Sequence, residues 1–220
     1  MSFLVFDFDS TLVSVEGLDE LFARSLDGAP DREARVAAFR EITDLGMAGA
    51  ISAEESLERR LGVLAADRGL VRTVGEEIRE HISPSVARNL AFFRENLSRV
   101  GVVSGGFEEL ILPTLERMGL SPSGLHAHRF RYDESGRVLG LDPDTVIAKG
   151  GKPAAVERFR EKERSVWMIG DGATDLEVRE RGLADGFIAY TENRHRDPVV
   201  AKADFVAKSM DELIALLEKP

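Results

Sequence analysis

Cysteine is missing from all 220 residues, which excludes disulfides, thiolate metal sites and cysteine nucleophiles and makes a reducing cytoplasm the expected setting. Basic charge is scarce as well. With 29 Lys and Arg against 39 Asp and Glu, the formal net charge of -10 argues against nucleic acid or an anionic membrane as a partner, since both require a basic face. Long apolar runs are also lacking: the stretch Phe3 to Phe6 passes directly into Asp7 and Asp9, without the basic flank or the length that a signal peptide or membrane span needs. A soluble chain is expected. The acidic balance is unfavourable to a phosphorylated ligand, so any phosphate site must be built locally from a metal ion, a lysine and backbone N–H groups.

What is present suits one domain with a modest insertion, because a chain of this length with 43% hydrophobic residues can bury a sizeable core. Short apolar runs at Phe3–Phe6, Val100–Val103, Val166–Ile169, Phe187–Ala189 and Phe205–Ala207 predict buried strands. Helical patterns alternate with them at Glu108–Met118, Pro153–Lys162 and Met210–Lys219, the last opened by a capping-box spacing at Ser209 and Glu212. Such alternation predicts an α/β fold with a doubly wound, mainly parallel sheet. From Val13 to about Ile82 the pattern is helical without strands, too long for an ordinary connection. The expected organisation is a core of residues 1–13 and 83–220 carrying a helical cap of residues 14–82. The Gly-, Asp- and Pro-containing segment Ser135–Asp144 predicts a turn or hairpin.

Chemistry concentrates at three predicted strand ends, where open α/β sheets bind ligands: Asp7-Phe8-Asp9-Ser10-Thr11, Ser104-Gly105-Gly106, and Gly170-Asp171-Gly172-Ala173-Thr174-Asp175. Residues two apart on an extended chain share a side, so Asp7 and Asp9 face one site with the Asp171 loop opposite. Crowded carboxylates raise one another's pKa unless a cation holds them ionised, and oxygen donors without His or Cys favour Mg²⁺. Taken singly, each motif is compatible with a solvated turn or a helix cap. Their coincidence at strand ends points to phosphoryl chemistry.

These same segments, with Leu12 and Phe107, resemble the motifs of the haloacid dehalogenase superfamily, and within it those of the phosphoserine phosphatases. Glu16-Gly17-Leu18-Asp19-Glu20-Leu21 and Met47-Ala48-Gly49-Ala50 extend the resemblance into the cap. It implies an aspartyl-phosphate mechanism with Asp7 as nucleophile and Asp9 as the acid and base. Ser104 and the N–H of Gly105 would hold phosphoryl oxygens. Mg²⁺ would be held by the Asp7 carboxylate, the Asp9 main-chain carbonyl and the Asp171 carboxylate, with Asp175 and Thr174 supporting that loop. The implied substrate is a small phosphorylated metabolite, O-phospho-L-serine, with Arg60 on its carboxylate, Glu16 on its ammonium group, and Met47 in the binding site. The family also places a lysine before the third motif. Lys149 and Lys152 are the candidates, and Lys152 is preferred because Pro153 favours a helix start immediately after it.

Helix geometry separates the adjacent arginines of the cap. In a helix opened by Ser52 and Glu55, Arg60 borders the apolar stripe Leu57, Leu61 and Leu64 while Arg59 projects into water. An internal ion pair with a cap carboxylate is the structural alternative for Arg60. Ala53, His128 and Tyr190-Thr191 depart from the family pattern and leave open another phosphomonoester as substrate. Phosphoryl transfer to an alcohol such as homoserine and a phospho-aspartate receiver domain are the competing functions. The sequence does not distinguish monomer from homodimer.

Overall fold

A computed structural model describes residues 2–163 and 165–218. Its strands are β1 (Phe3–Phe6), β2 (Val100–Phe107), β3 (Leu125–His128), β4 (Phe130–Tyr132), β5 (Val138–Leu141), β6 (Val166–Gly170), β7 (Gly186–Tyr190) and β8 (Phe205–Ala207). Six of them form one sheet in the order β3-β2-β1-β6-β7-β8, with every neighbouring pair parallel. Leu4 and Phe6 of β1 enter the core on one face while Phe3 and Val5 enter the core on the other, so the strand reads as an unbroken apolar run. β1 lies between β2 and β6. The chain therefore departs from β1 to both sides, and the crevice at its carboxyl end is a topological switch point.

Between β1 and β2 come α1 (Gly17–Ser25), α2 (Arg32–Met47), α3 (Ala53–Val63) and α4 (Arg68–Ile78), a 3-10 turn at Arg79–His81, α5 (Pro84–Arg88) and α6 (Leu90–Glu95). The remaining helices are α7 (Glu108–Met118), α8 (Val146–Arg160), α9 (Ala173–Glu180), α10 (Asp197–Val200) and α11 (Met210–Leu217). Lys219, in the expected last helix, lies outside the described residues. The capping boxes form only in their forward half. Ser52 and Ser209 accept from the N–H of Glu55 and Glu212, but Glu55 pairs with Arg59 at 2.5 Å and Glu212 accepts from Lys208 N.

The helical segment leaves and re-enters the sheet through one narrow root: Val13 lies antiparallel to Ile82, Ser83 N donates to Leu12 O at 2.9 Å, and Ser14 N donates to His81 O at 2.9 Å. Beyond this root α4 packs closely on α7. A side chain at Gly75 would place its Cβ 2.7 Å from the carbonyl oxygen of Glu109, so only glycine permits that approach. The hairpin expected at Ser135–Asp144 is built from β4 and β5 and is tied to the loop before α4 by Val138 N to Ala66 O and Arg68 N to Gly136 O, each 2.9 Å. Among the described residues, no helix is long and apolar enough to cross a membrane.

Candidate active site

The ladder between β1 and β6 continues one residue past β1, where Asp7 N donates to Ile169 O at 2.8 Å and delivers the Asp7 carboxylate, 2% exposed, into the crevice. Asp7 Oδ1 meets Lys152 Nζ at 2.7 Å, and the same ammonium meets Asp175 Oδ1 at 2.7 Å. Burial works against the lysine's charge, but Asp175 and Asp7 outweigh it and hold its pKa above the ordinary value. Lys149 is placed elsewhere, exposed and paired with Asp144 at 3.1 Å. The separation has a backbone cause: Gly150 and Gly151, the latter at φ +64°, break α8 after its first turn and turn Lys152 inward. The helical pattern expected from Pro153 is thus preceded by a turn capped by Thr145, which accepts from Ala148 N at 3.2 Å.

Asp9 follows two residues on, and its Oδ1 accepts from Gly17 N at 2.7 Å, the first residue of α1. Burial, then the Asp7 charge, pushes its pKa up to about 7. A carboxyl poised there can give and take a proton near neutrality. Ser104 and Gly105, expected beyond the second strand, lie within it: β2 runs on to Phe107, with a register shift against β3 between Val103 and Phe107. The shift bends the strand at the motif. Ser104 is buried and its Oγ accepts from Gly106 N at 2.9 Å, while Gly105 is exposed with open space on its side-chain side. A Cβ on Gly106 would lie 2.8 Å from Asp9 Oδ2, so the second glycine is the one that admits the carboxylate.

The third motif turns from β6 into α9. Gly170 has no room for a side chain, since its Cβ would sit 2.3 Å from Asp175 Oδ2, and that carboxylate accepts from Gly172 N at 3.0 Å. Both Asp175 oxygens are therefore engaged by protein donors. Asp171 differs: Oδ2 accepts from Arg196 Nε at 2.9 Å, whereas Oδ1 is buried without a hydrogen-bond partner. Burial, then Glu16 and Asp7, pushes its pKa up to about 7. One carboxylate oxygen from each of Asp7, Asp171 and Asp175 lies within 4.8 Å of the others. An orphaned buried oxygen in an all-oxygen cluster fits a hard divalent cation, with Asp7 and Asp171 positioned to hold it and Asp175 to brace the loop. Thr174 lies in the first turn of α9, half-buried.

From the helical segment between β1 and β2, Met47 packs on the loop, its Cε only 2.7 Å from where a Gly172 Cβ would be. Glu16 Oε1 accepts from Ser10 Oγ at 2.6 Å, and burial, then Asp9, pushes the carboxyl up to about 8. Arg60 donates to Ser56 O and Thr43 Oγ1, each at 3.3 Å, and lies 3.8 Å from Asp19 Oδ1. The carboxylate partner of the structural alternative is thus present, at the long end of ion-pair range. Arg60 also lowers the Asp9 pKa, so its charge reaches the crevice. Arg59 points away and pairs with Glu55. Sequence reasoning missed Arg196, which links Asp171 to Asp44 of α2 at 3.7 Å, and Asn193, which binds the turn after Asp9. Neither sits in a recognisable motif.

His128, the departure at the end of β3, is buried against Phe107 with Nδ1 unpartnered. Burial, then Arg60, lowers its pKa to about 4. The folded protein holds a neutral imidazole, while the unfolded chain takes up a proton near pH 6.5. Stability from this group is therefore complete above that pH and declines as pH falls toward 4, by at most about 1.4 kcal/mol per pH unit. Thermal melts of His128→Asn between pH 7 and 5 are expected to lose less stability than wild type. Parallel pH profiles would assign the acid sensitivity elsewhere.

Known proteins resemble this chain in sequence and in fold. Residues 4–180 match the haloacid dehalogenase-like hydrolase family. A chloroplastic phosphoserine phosphatase of Arabidopsis thaliana is 33% identical over 97% of this chain and 70% of its own. The Homo sapiens phosphoserine phosphatase is 30% identical over 97% of this chain and 92% of its own. Among solved structures, a phosphoserine phosphohydrolase-like protein from Francisella tularensis superimposes with a TM-score of 0.88 at 27% identity, covering 99% of this chain and 100% of that one.

Proposed function

The chain belongs to the haloacid dehalogenase-like hydrolases, and we propose that within this family it hydrolyses O-phosphoserine to serine and phosphate through an aspartyl-phosphate on Asp7. The observation that carries the chemistry is the pairing of two unlike carboxyls two residues apart. Asp7 is held against the Lys152 ammonium at 2.7 Å, while Asp9 is pushed up to about 7. An Asp7 oxygen attacks phosphorus, the ester P–O bond breaks, and the leaving oxygen takes a proton from Asp9. Asp9 then accepts a proton from water as that water attacks the phosphorus of the acyl phosphate, releasing phosphate and regenerating Asp7. Lys152, Ser104 and the N–H of Gly105 hold the phosphoryl oxygens. Mg²⁺ is the proposed cation, held by Asp7, the Asp9 carbonyl and Asp171, and when bound it neutralises phosphoryl charge and orients the group. Residues 14–82 act as the cap over this site. The proposed setting is cytoplasmic, although the Arabidopsis relative is chloroplastic.

The relatives named above support the substrate, and so do the two ionisable groups the cap brings near Asp9. Arg60 carries a guanidinium suited to a carboxylate, and Glu16 is a buried carboxyl that an incoming ammonium would return to its charged form. Arg60→Ala and Glu16→Gln are each expected to lower kcat/KM for phosphoserine by about 10- to 100-fold, the loss of one buried charge-assisted contact. Hydrolysis of 4-nitrophenyl phosphate, which lacks both groups, should change less than threefold, and Arg59→Ala should leave phosphoserine kinetics unchanged. Equal losses on both substrates, or a wild-type enzyme that ignores phosphoserine, would show that the cap selects another ester. Product analysis with added homoserine separates hydrolysis from transfer.

A further inference from the structure

Ser10, next to Asp9, has φ +53° and is the single non-glycine residue of positive φ among the described residues. A left-handed serine costs about 1–3 kcal/mol and persists only where its surroundings hold it. The Ser10 carbonyl accepts from Asn193 Nδ2 at 3.1 Å. The same nitrogen reaches Val13 O at 3.3 Å and Ser83 Oγ at 2.7 Å. Ser83 Oγ donates its own hydrogen to Thr11 O at 3.0 Å, so toward Asn193 it is the acceptor. One amide thus grips the catalytic turn, the segment that leaves for the cap and the segment that returns from it. Its own position is fixed by the residues before it: Glu192 Oε1 accepts from Ser85 N at 2.8 Å, and Oε2 accepts from Ser85 Oγ and from the buried Tyr190 hydroxyl at 2.5 Å. The Tyr190 departure is thereby given a physical role.

We propose that Asn193 is a positioning residue for hydrolysis, locking the Asp9–Ser10 turn and both roots of the cap into one rigid block. The pivot for cap movement then lies on the cap side of the Ser14–His81 hydrogen bond, and the Asp9 backbone keeps its place while the cap opens and closes. This rests on Asp9 as the proton donor and acceptor. It differs from a general contribution to stability in what it predicts for rate. Loss of the lock misplaces Asp9 for every phosphate ester, whatever the cap recognises, so the effect falls on kcat and is shared between substrates.

The test uses Asn193→Ala and Asn193→Asp, the second keeping shape while removing the donor hydrogens, so that a poorly folding alanine variant does not end the experiment. Asn96→Ala is the structural control: Asn96 donates to Phe92 O at 2.7 Å and accepts from Arg99 Nε at 2.6 Å, so its loss loosens the end of α6 without touching the turn or the residues that hold Asn193. Each Asn193 variant is expected to lose at least tenfold in kcat on both phosphoserine and 4-nitrophenyl phosphate, with KM changed less than threefold. Asn96→Ala should lower Tm with kcat retained. Amide exchange supplies a readout independent of substrate, with faster exchange expected at Ser10 and Gly17 in the Asn193 variants alone. Wild-type kcat in both variants, a loss confined to the KM of phosphoserine, or unchanged exchange at Ser10 would overturn the proposal. An inactive wild-type protein would overturn the hydrolase reading instead, and the exchange measurement would still decide whether Asn193 locks the turn.

Discussion

Asp7→Asn is expected to lower phosphate release at least about a thousandfold on every ester, as removal of a covalent nucleophile does. The amide keeps the carboxylate's shape and can still accept from Lys152, whose second partner Asp175 remains at 2.7 Å. The fold should survive. The substitution also removes one negative charge from a site where Asp7 raises the pKa of Asp9, Asp171 and Asp175, so relief of repulsion offsets part of the weakened lysine pair. A melting temperature within a few degrees of wild type is therefore expected. Acid quenching during turnover of labelled phosphoserine should trap label on the wild-type chain and none on the variant. Steady phosphate release from a folded Asp7→Asn protein would assign the attack to another group.

The framework was legible in the sequence wherever a local signal and the tertiary context agree. β1 is four consecutive buried apolar residues ending in two acids, and a parallel strand buried on both faces can hardly be written otherwise. β3 was missed because Leu125-His126-Ala127-His128 alternates weakly, and its place is set by pairing with β2. Lys152 was separable from Lys149 because Gly150-Gly151 and Pro153 carry local backbone instructions. Arg196 and Asn193 were not readable: they belong to the loop after β7, and their partners Asp171, Ser10 and Ser83 lie 25, 183 and 110 residues away. Contacts of that separation are fixed by the order of strands in the sheet, which residue patterns along the chain do not encode.

Chelation is expected to abolish activity and Mg²⁺ to restore it, with Ca²⁺ a poor replacement because its longer bonds and higher coordination number change how the oxygens are held. The physical basis is the state of the carboxylates. Burial and mutual repulsion raise Asp171 to about 7 and push Asp175 up against the pull of Lys152, whose ammonium is engaged with Asp7 and Asp175, leaving Asp171 Oδ1 without a partner. A divalent cation there offsets the repulsion in the folded chain alone, so binding must appear as stability as well as activity. At a hundredfold excess over Kd the linkage is about 2.7 kcal/mol, about 5–10 °C in Tm for a chain of this size. Asp171→Asn removes the carboxylate with the free oxygen and should lose both the thermal shift and turnover. Glu16→Gln, which leaves the cluster of Asp7, Asp171 and Asp175 intact, should keep the shift. Thermal melts with Mg²⁺ and with chelator, taken without substrate, separate these outcomes from any effect on catalysis. Full activity in chelator, or an Asp171→Asn protein that still gains stability from Mg²⁺, would show that the cation sits elsewhere or that the orphaned oxygen serves another purpose.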